Sequence, residues 1–161
     1  MIVYFDSSVF ISVLSGDATA QQVRDLLQEL QKAKIRIYTS IITIQEVSVD
    51  CFKNGTIATD NHALVKKLAR IEGITRDVAV TAAKLEAQIL NGYGSAAEKT
   101  ADNKRRKWDC FHIATAQCLK CAWLYSFDEG MLRRESRLNI KGVQFSKPAP
   151  LAAGLFDTAA D

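Results

Sequence analysis

Four acids stand where a carboxylate could reach a common site. Asp6 ends the apolar run Ile2-Val3-Tyr4-Phe5, and Asp128 ends a second such run over residues 122–127. Glu46 lies in a helical pattern that follows a third run, Ile35-Arg36-Ile37-Tyr38. Apolar runs of this length, rich in β-formers and separated by helical segments, read as buried parallel strands. In an open parallel sheet, ligands bind beyond the carboxyl ends of the strands, so strand order alone brings three acids to one edge. Asp109 opens the helical pattern that feeds the last of these strands and could join them, though strand order does not place it. Gathered carboxylates are hard oxygen donors, the kind divalent cations prefer. Without a counter-ion they repel one another, and at least one keeps its proton.

Each acid also has a plain structural explanation. Asp6, Asp109 and Asp128 sit where an N-cap or first-turn acid belongs, a role worth roughly 0.5–2 kcal/mol. Glu46 fits capping worse. Its surroundings, Ile41-Ile42-Thr43-Ile44-Gln45-Glu46-Val47, are mostly apolar. A carboxylate buried there calls for a cationic partner.

The elements that must position these acids follow from periodicity. Asp6-Ser7-Ser8 caps a short helix carrying Val9, Phe10, Ile11 and Leu14. Val23, Leu26, Leu27 and Leu30 recur at helical spacing over residues 18–34. A helix runs from Ile41 to about Lys53 and stops at Asn54-Gly55. Another is expected over residues 60–71, and Thr75 caps one with Val78, Ala82, Leu85, Ile89 and Leu90 on a face. Residues 91–107, with Gly92, Gly94, Ser95 and several charges, read as a partly mobile loop. Helix returns over 108–120, a short helix follows Asp128 through Met131 and Leu132, and Val143-Gln144-Phe145 is a last strand. The fold class is α/β, one domain over residues 1–147 with a flexible tail over 148–161.

Composition agrees. The chain has 161 residues, 48% of them hydrophobic, enough for one domain with a normal core. No apolar stretch reaches the roughly 20 residues that span a bilayer. The first residues do not read as a signal peptide, so a cytoplasmic setting is expected. The four cysteines, Cys51, Cys110, Cys118 and Cys121, are then expected to be reduced. A net charge of +3 is too mild to imply a polyanionic partner.

Four segments together resemble a known family. They are Val3-Tyr4-Phe5-Asp6-Ser7-Ser8-Val9-Phe10, Tyr38-Thr39-Ser40-Ile41-Ile42-Thr43-Ile44-Gln45-Glu46-Val47, Trp108-Asp109-Cys110-Phe111-His112-Ile113-Ala114-Thr115-Ala116, and Leu124-Tyr125-Ser126-Phe127-Asp128. In order and spacing, over most of residues 1–145, the chain resembles a PIN domain, the fold of VapC-type toxin ribonucleases. The resemblance implies a three-layer α/β/α sandwich around a short, mostly parallel sheet. It also implies that Asp6, Glu46, Asp109 and Asp128 hold Mg²⁺ or Mn²⁺, with Ser7 and Ser126 supporting them. The activity implied is hydrolysis of phosphodiester bonds in single-stranded RNA, by a homodimer and as the toxin of a toxin–antitoxin pair.

Other features of the chain carry weaker signals. Lys104-Arg105-Arg106-Lys107, directly before Asp109, could meet RNA phosphates, or could be a solvated loop. Trp108 reads as a core anchor and His112 as a packed residue rather than a general base. Cys118-Leu119-Lys120-Cys121 has zinc-like spacing but lacks further paired ligands. A haloacid-dehalogenase-type phosphatase needs a second Asp where Ser8 stands, and a receiver domain needs a mid-chain phosphoacceptor Asp that Tyr38-Thr39-Ser40 does not offer. The non-enzymatic alternative is a catalytically silent PIN-like module for RNA binding or assembly.

Overall fold

In the computed structural model, residues 1–55, 57–92, 96–138 and 140–150 are described, with only the backbone of residues 96–105. The expected tail therefore lies mostly outside the described residues. Five parallel strands form one sheet: β1 (Ile2–Phe5), β2 (Arg36–Ser40), β3 (Arg70–Glu72), β4 (Trp123–Tyr125) and β5 (Gln144–Ser146), in the order β3-β2-β1-β4-β5. The chain builds outward from β1 through β2 to β3, then crosses back to lay down β4 and β5 on the other side. The strand order thus reverses between β1 and β4, the place where such sheets open a crevice.

Among the described residues, seven helices cover the two faces: α1 (Ser7–Ser15), α2 (Ala20–Lys32), α3 (Ile41–Asn54), α4 (Ala58–Leu68), α5 (Arg76–Asn91), α6 (Ala96–Cys118) and α7 (Glu129–Arg137). Alternation along β1 explains the layering, since successive side chains of a strand point to opposite faces. Val3 and Phe5 pack with Val9, Phe10, Val23, Leu26, Leu30, Val47 and Val65, from α1 to α4. Tyr4 turns the other way and joins Tyr38, Leu124, Val78, Leu85, Ile113 and Met131, under α5 to α7. Both faces of the sheet are covered, so the α/β/α sandwich is as expected and the sheet is wholly parallel.

Local signals were sound where they were strong. Ser40 and Thr75 cap α3 and α5 through their side-chain oxygens, and Gly55 ends α3 in the left-handed conformation (φ 66°). Two expectations were wrong. Residues 96–107 are helix and not loop: α5 continues to Asn91, and α6 begins at Ala96. The residues 96–107 are mostly Ala, Glu, Lys and Arg, strong helix formers, which the nearby Gly92 and Gly94 obscure in the sequence. The helix expected over 60–71 ends instead at Leu68, and Arg70–Glu72 form the edge strand β3. No helix among the described residues is long and apolar enough to cross a membrane.

Candidate active site

All four acids line one small cleft of about 110 Å³, together with Ser7, Ser8, Trp108, His112 and Met131. They arrive from four elements. Asp6 caps α1 directly after β1, and its Oδ1 accepts from the backbone of Ser8 (3.0 Å) and Val9 (3.4 Å). Asp128 caps α7 in the same way, accepting from the backbone of Gly130 (2.6 Å) and Met131 (3.4 Å). Glu46 projects from the second turn of α3. Asp109 lies inside α6, thirteen residues past its start, so the first-turn explanation offered for it does not hold.

Hydroxyls join the ends of β1 and β4. Ser126 Oγ donates to Asp6 Oδ2 (2.5 Å) and accepts from the backbone N–H of Asp128 (2.9 Å). Ser8 Oγ donates to Asp6 Oδ1 (2.6 Å) and accepts from the backbone N–H of Phe127 (2.8 Å). Ser8 was read in the sequence as part of a helix cap and as a position lacking an acid, yet it holds Asp6 as Ser126 does. Ser7 lines the cleft, and its hydroxyl helps stabilise the Glu46 carboxylate.

Two cations answer the buried charge, and neither was anticipated by name. His112 is buried, with Nε2 3.0 Å from Glu46 Oε2 and Nδ1 2.7 Å from the Tyr4 hydroxyl. Arg134 of α7 is also buried and donates from Nε (3.1 Å) and Nη2 (3.0 Å) to Asp109 Oδ2. His112 is one helical turn after Asp109, so the spacing could have suggested that both face the cleft. Nothing in the sequence singles out Arg134.

Burial and partners set the protonation balance. Burial raises Asp6 above the usual carboxylate range, opposed by His112, Ser126 and Ser8. Burial also lifts Asp109, to about 6, although Arg134 pulls it down. Burial works against the Glu46 carboxylate as well, but the hydrogen bond and charge of His112 outweigh it and leave Glu46 below its ordinary value. His112 loses charge stability by burial and regains more from Glu46, so its value is raised.

The four acids offer the donors that Mg²⁺ or Mn²⁺ favours, carboxylate oxygens, around a space large enough for an ion and water. The arrangement is not a finished coordination sphere. Among the described residues, no three His, Cys, Asp or Glu side chains are gathered closely enough to hold an ion. The acids face one another across the cleft while each is held by a protein partner.

The basic run before Asp109 is divided by the structure. The side chains of Lys104 and Arg105 lie outside the described residues, and Lys107 is exposed. Arg106 is buried, its Nε 3.2 Å from Glu86 Oε1 on α5, which removes it from an RNA-binding surface. Trp108 is not a core anchor: it is 37% exposed on the wall of the cleft, its ring 6.3 Å from that of Phe111.

Comparison with known proteins matches this geometry to a fold. The structure is similar to VapBC2 from Rickettsia felis, solved with a promoter DNA fragment (TM-score 0.64, 12% identity, covering 91% of this chain and 98% of that one). It is similar to VapBC-1 from nontypeable Haemophilus influenzae (TM-score 0.60, 14% identity, 91% and 98% covered). A third similar structure is Mycobacterium tuberculosis VapC20, described as a sarcin-ricin loop cleaving toxin (TM-score 0.58, 17% identity, 80% and 92% covered). A sequence search of curated proteins gives no match. The PIN domain family model matches residues 3–136, which takes in all four acids, and the chain belongs to the PIN domain family.

Proposed function

We propose that this protein is a metal-dependent endoribonuclease that hydrolyses phosphodiester bonds in single-stranded RNA. One observation carries the reading: four carboxylates from four separate elements, in a chain of this family, line a single cleft. Asp6, Glu46, Asp109 and Asp128 would hold Mg²⁺ or Mn²⁺, which when bound supplies a Lewis acid and a more acidic water for hydrolysis.

The chain's own residues do the positioning. Ser8 and Ser126 fix both oxygens of Asp6 and tie them to the backbone at the end of β4. His112 holds Glu46 ionised, and Arg134 holds Asp109. Trp108 offers an aromatic face beside the acids on which a base of the substrate can stack. Lys107 is an exposed cation next to it.

The silent-module alternative draws on a specific observation. His112 and Arg134 already neutralise two of the acids, as in a site that no longer needs an ion. Incubation with labelled single-stranded RNA and Mn²⁺ separates the two. Cleavage by the native chain that is lost in Asp6→Asn supports the nuclease. Equal cleavage by both, or none by either after removal of any bound partner, supports the silent module.

The likeness to VapBC and FitAB complexes supports a toxin role with an antitoxin partner in the cytoplasm. A homodimer is the expected assembly. Ile41, Val49 and Phe52 on α3, with Ile57 just before α4, leave exposed apolar surface available to a partner.

A further inference from the structure

The other end of the sheet carries a second feature, outside the acid cleft. An open groove of about 610 Å³ lies where β2 and β3 begin, lined by Arg36, Lys66, Lys67 and Arg70 over an apolar floor that includes Leu27 and Leu68. None of the described residues lining it is acidic. Glu72, outside the lining, lies 2.8 Å from Arg70 Nε and compensates that one cation. In a chain with a net charge of only +3, four cations around one trough are a local concentration.

Helix capping explains part of this. Lys66 and Lys67 stand in the last turn of α4, where cations offset the helix dipole. It does not explain Arg36 and Arg70, which are on strands. Their guanidinium carbons lie 6.0 and 5.7 Å from the centre of the Tyr38 ring. Tyr38 itself is 6% exposed. A buried ring thus supports two exposed guanidinium groups and limits where their charge can go. Four cations spread along an open trough, with no acid among the described residues lining it, suit the repeated charges of a phosphate backbone better than a single anion.

We infer that the groove lined by Arg36, Lys66, Lys67 and Arg70 is an accessory site for the backbone of the substrate RNA. The assignment rests on the ribonuclease reading for its choice of RNA. Groove and cleft lie at opposite ends of strands, roughly 13 Å apart along the five residues of β2. Only a strand of several nucleotides reaches both. The groove therefore contributes to the binding of long RNA and nothing to the chemistry.

The test is fluorescence anisotropy with a labelled single-stranded RNA and the Asp6→Asn protein, so that cleavage does not intervene. Lys66→Gln/Lys67→Gln is expected to weaken binding about tenfold and to reduce the slope of log affinity against log salt by roughly 1.4. Both residues are exposed, and their loss leaves the fold intact. Arg76→Gln/Lys84→Gln, exposed on α5, removes the same charge elsewhere and is expected to change little. In the otherwise native protein, the Lys66/Lys67 pair is expected to raise KM for long RNA and to leave a short oligonucleotide reporter unaffected. Equal weakening by both double variants, unchanged binding in the first, or displacement of the RNA from the groove by duplex DNA overturns the assignment. If the native chain cuts no RNA while the Lys66/Lys67 pair still weakens binding, the nuclease reading fails and the groove stands. If it cuts RNA and binding ignores that pair, the groove alone fails.

Discussion

At the carboxyl ends of β1 and β4, charge is buried or half-buried and every acid is held by a specific partner. At the amino ends of β2 and β3, charge is exposed and rests on a ring. The first arrangement is expensive in desolvation and rigid, because a buried carboxylate without its partner is strongly disfavoured. The second costs little and stays solvated, and salt screens it. Substitutions should therefore behave differently at the two ends: in the cleft they disturb stability and chemistry together, and in the groove they change only affinity for a polyanion.

The largest expected effect is loss of RNA cleavage in Asp6→Asn, measured by gel assay with Mn²⁺, with the fold retained because the amide oxygen still caps α1. Arg134→Met is next. It leaves Asp109 buried without its cation, and breaking such a pair costs about 3–5 kcal/mol, read from urea unfolding. A change under about 1 kcal/mol would show that the pair is as cheap as a surface one.

Acidity sharpens the same contrast. Asp109 titrates in the fold at about 6, above its ordinary value, because burial outweighs the pull of Arg134, so the fold holds this proton more tightly than the unfolded chain does. Stability from this group is present below the unfolded-state value and is lost as pH rises through about 6. Mn²⁺ binding, which needs the carboxylate, should strengthen over that same rise. Calorimetric titration between pH 5 and 8 checks it, and an affinity independent of pH would remove Asp109 from the ligands.

Smaller effects come from the cap. A Cβ on Gly130 would stand 2.8 Å from Asp128 Oδ1, so Gly130→Ala must displace the capping carboxylate, at about 0.5–2 kcal/mol. Trp108→Ala should raise KM for RNA with little change in thermal stability, since the ring is partly exposed. At the bottom of the scale, Lys66→Gln/Lys67→Gln should lower the unfolding midpoint only slightly, reflecting the roughly 0.3–1 kcal/mol that an exposed cation contributes at a helix end. A large stability loss there would erase the distinction between the two ends.

Much of the architecture was readable because its signals are local. The strand before Asp6, the caps at Ser40 and Thr75, and the stop at Gly55 depend on a few consecutive residues. The edge strand β3 was missed because three residues between two helices carry almost no pattern, and they become a strand only when β2 pairs with them. The start of α6 was missed because a polar, charged composition near glycines is common to loops and to exposed helix, and this segment is helix.

That Asp6 and Asp128 stand at strand ends and cap helices is legible in the chain, since both facts follow from neighbouring residues. The sequence also required a cation for Glu46, because a carboxylate in an apolar run cannot be left bare. Tertiary structure alone decided that the cation is His112, 66 residues away, that Arg134 takes Asp109, and that a mid-helix acid enters the cleft at all. It likewise moved Arg106 inward and Trp108 outward. The physical reason is common to these cases: burial and ion pairing depend on how helices pack over the sheet, and helical periodicity fixes a face without naming what it will meet.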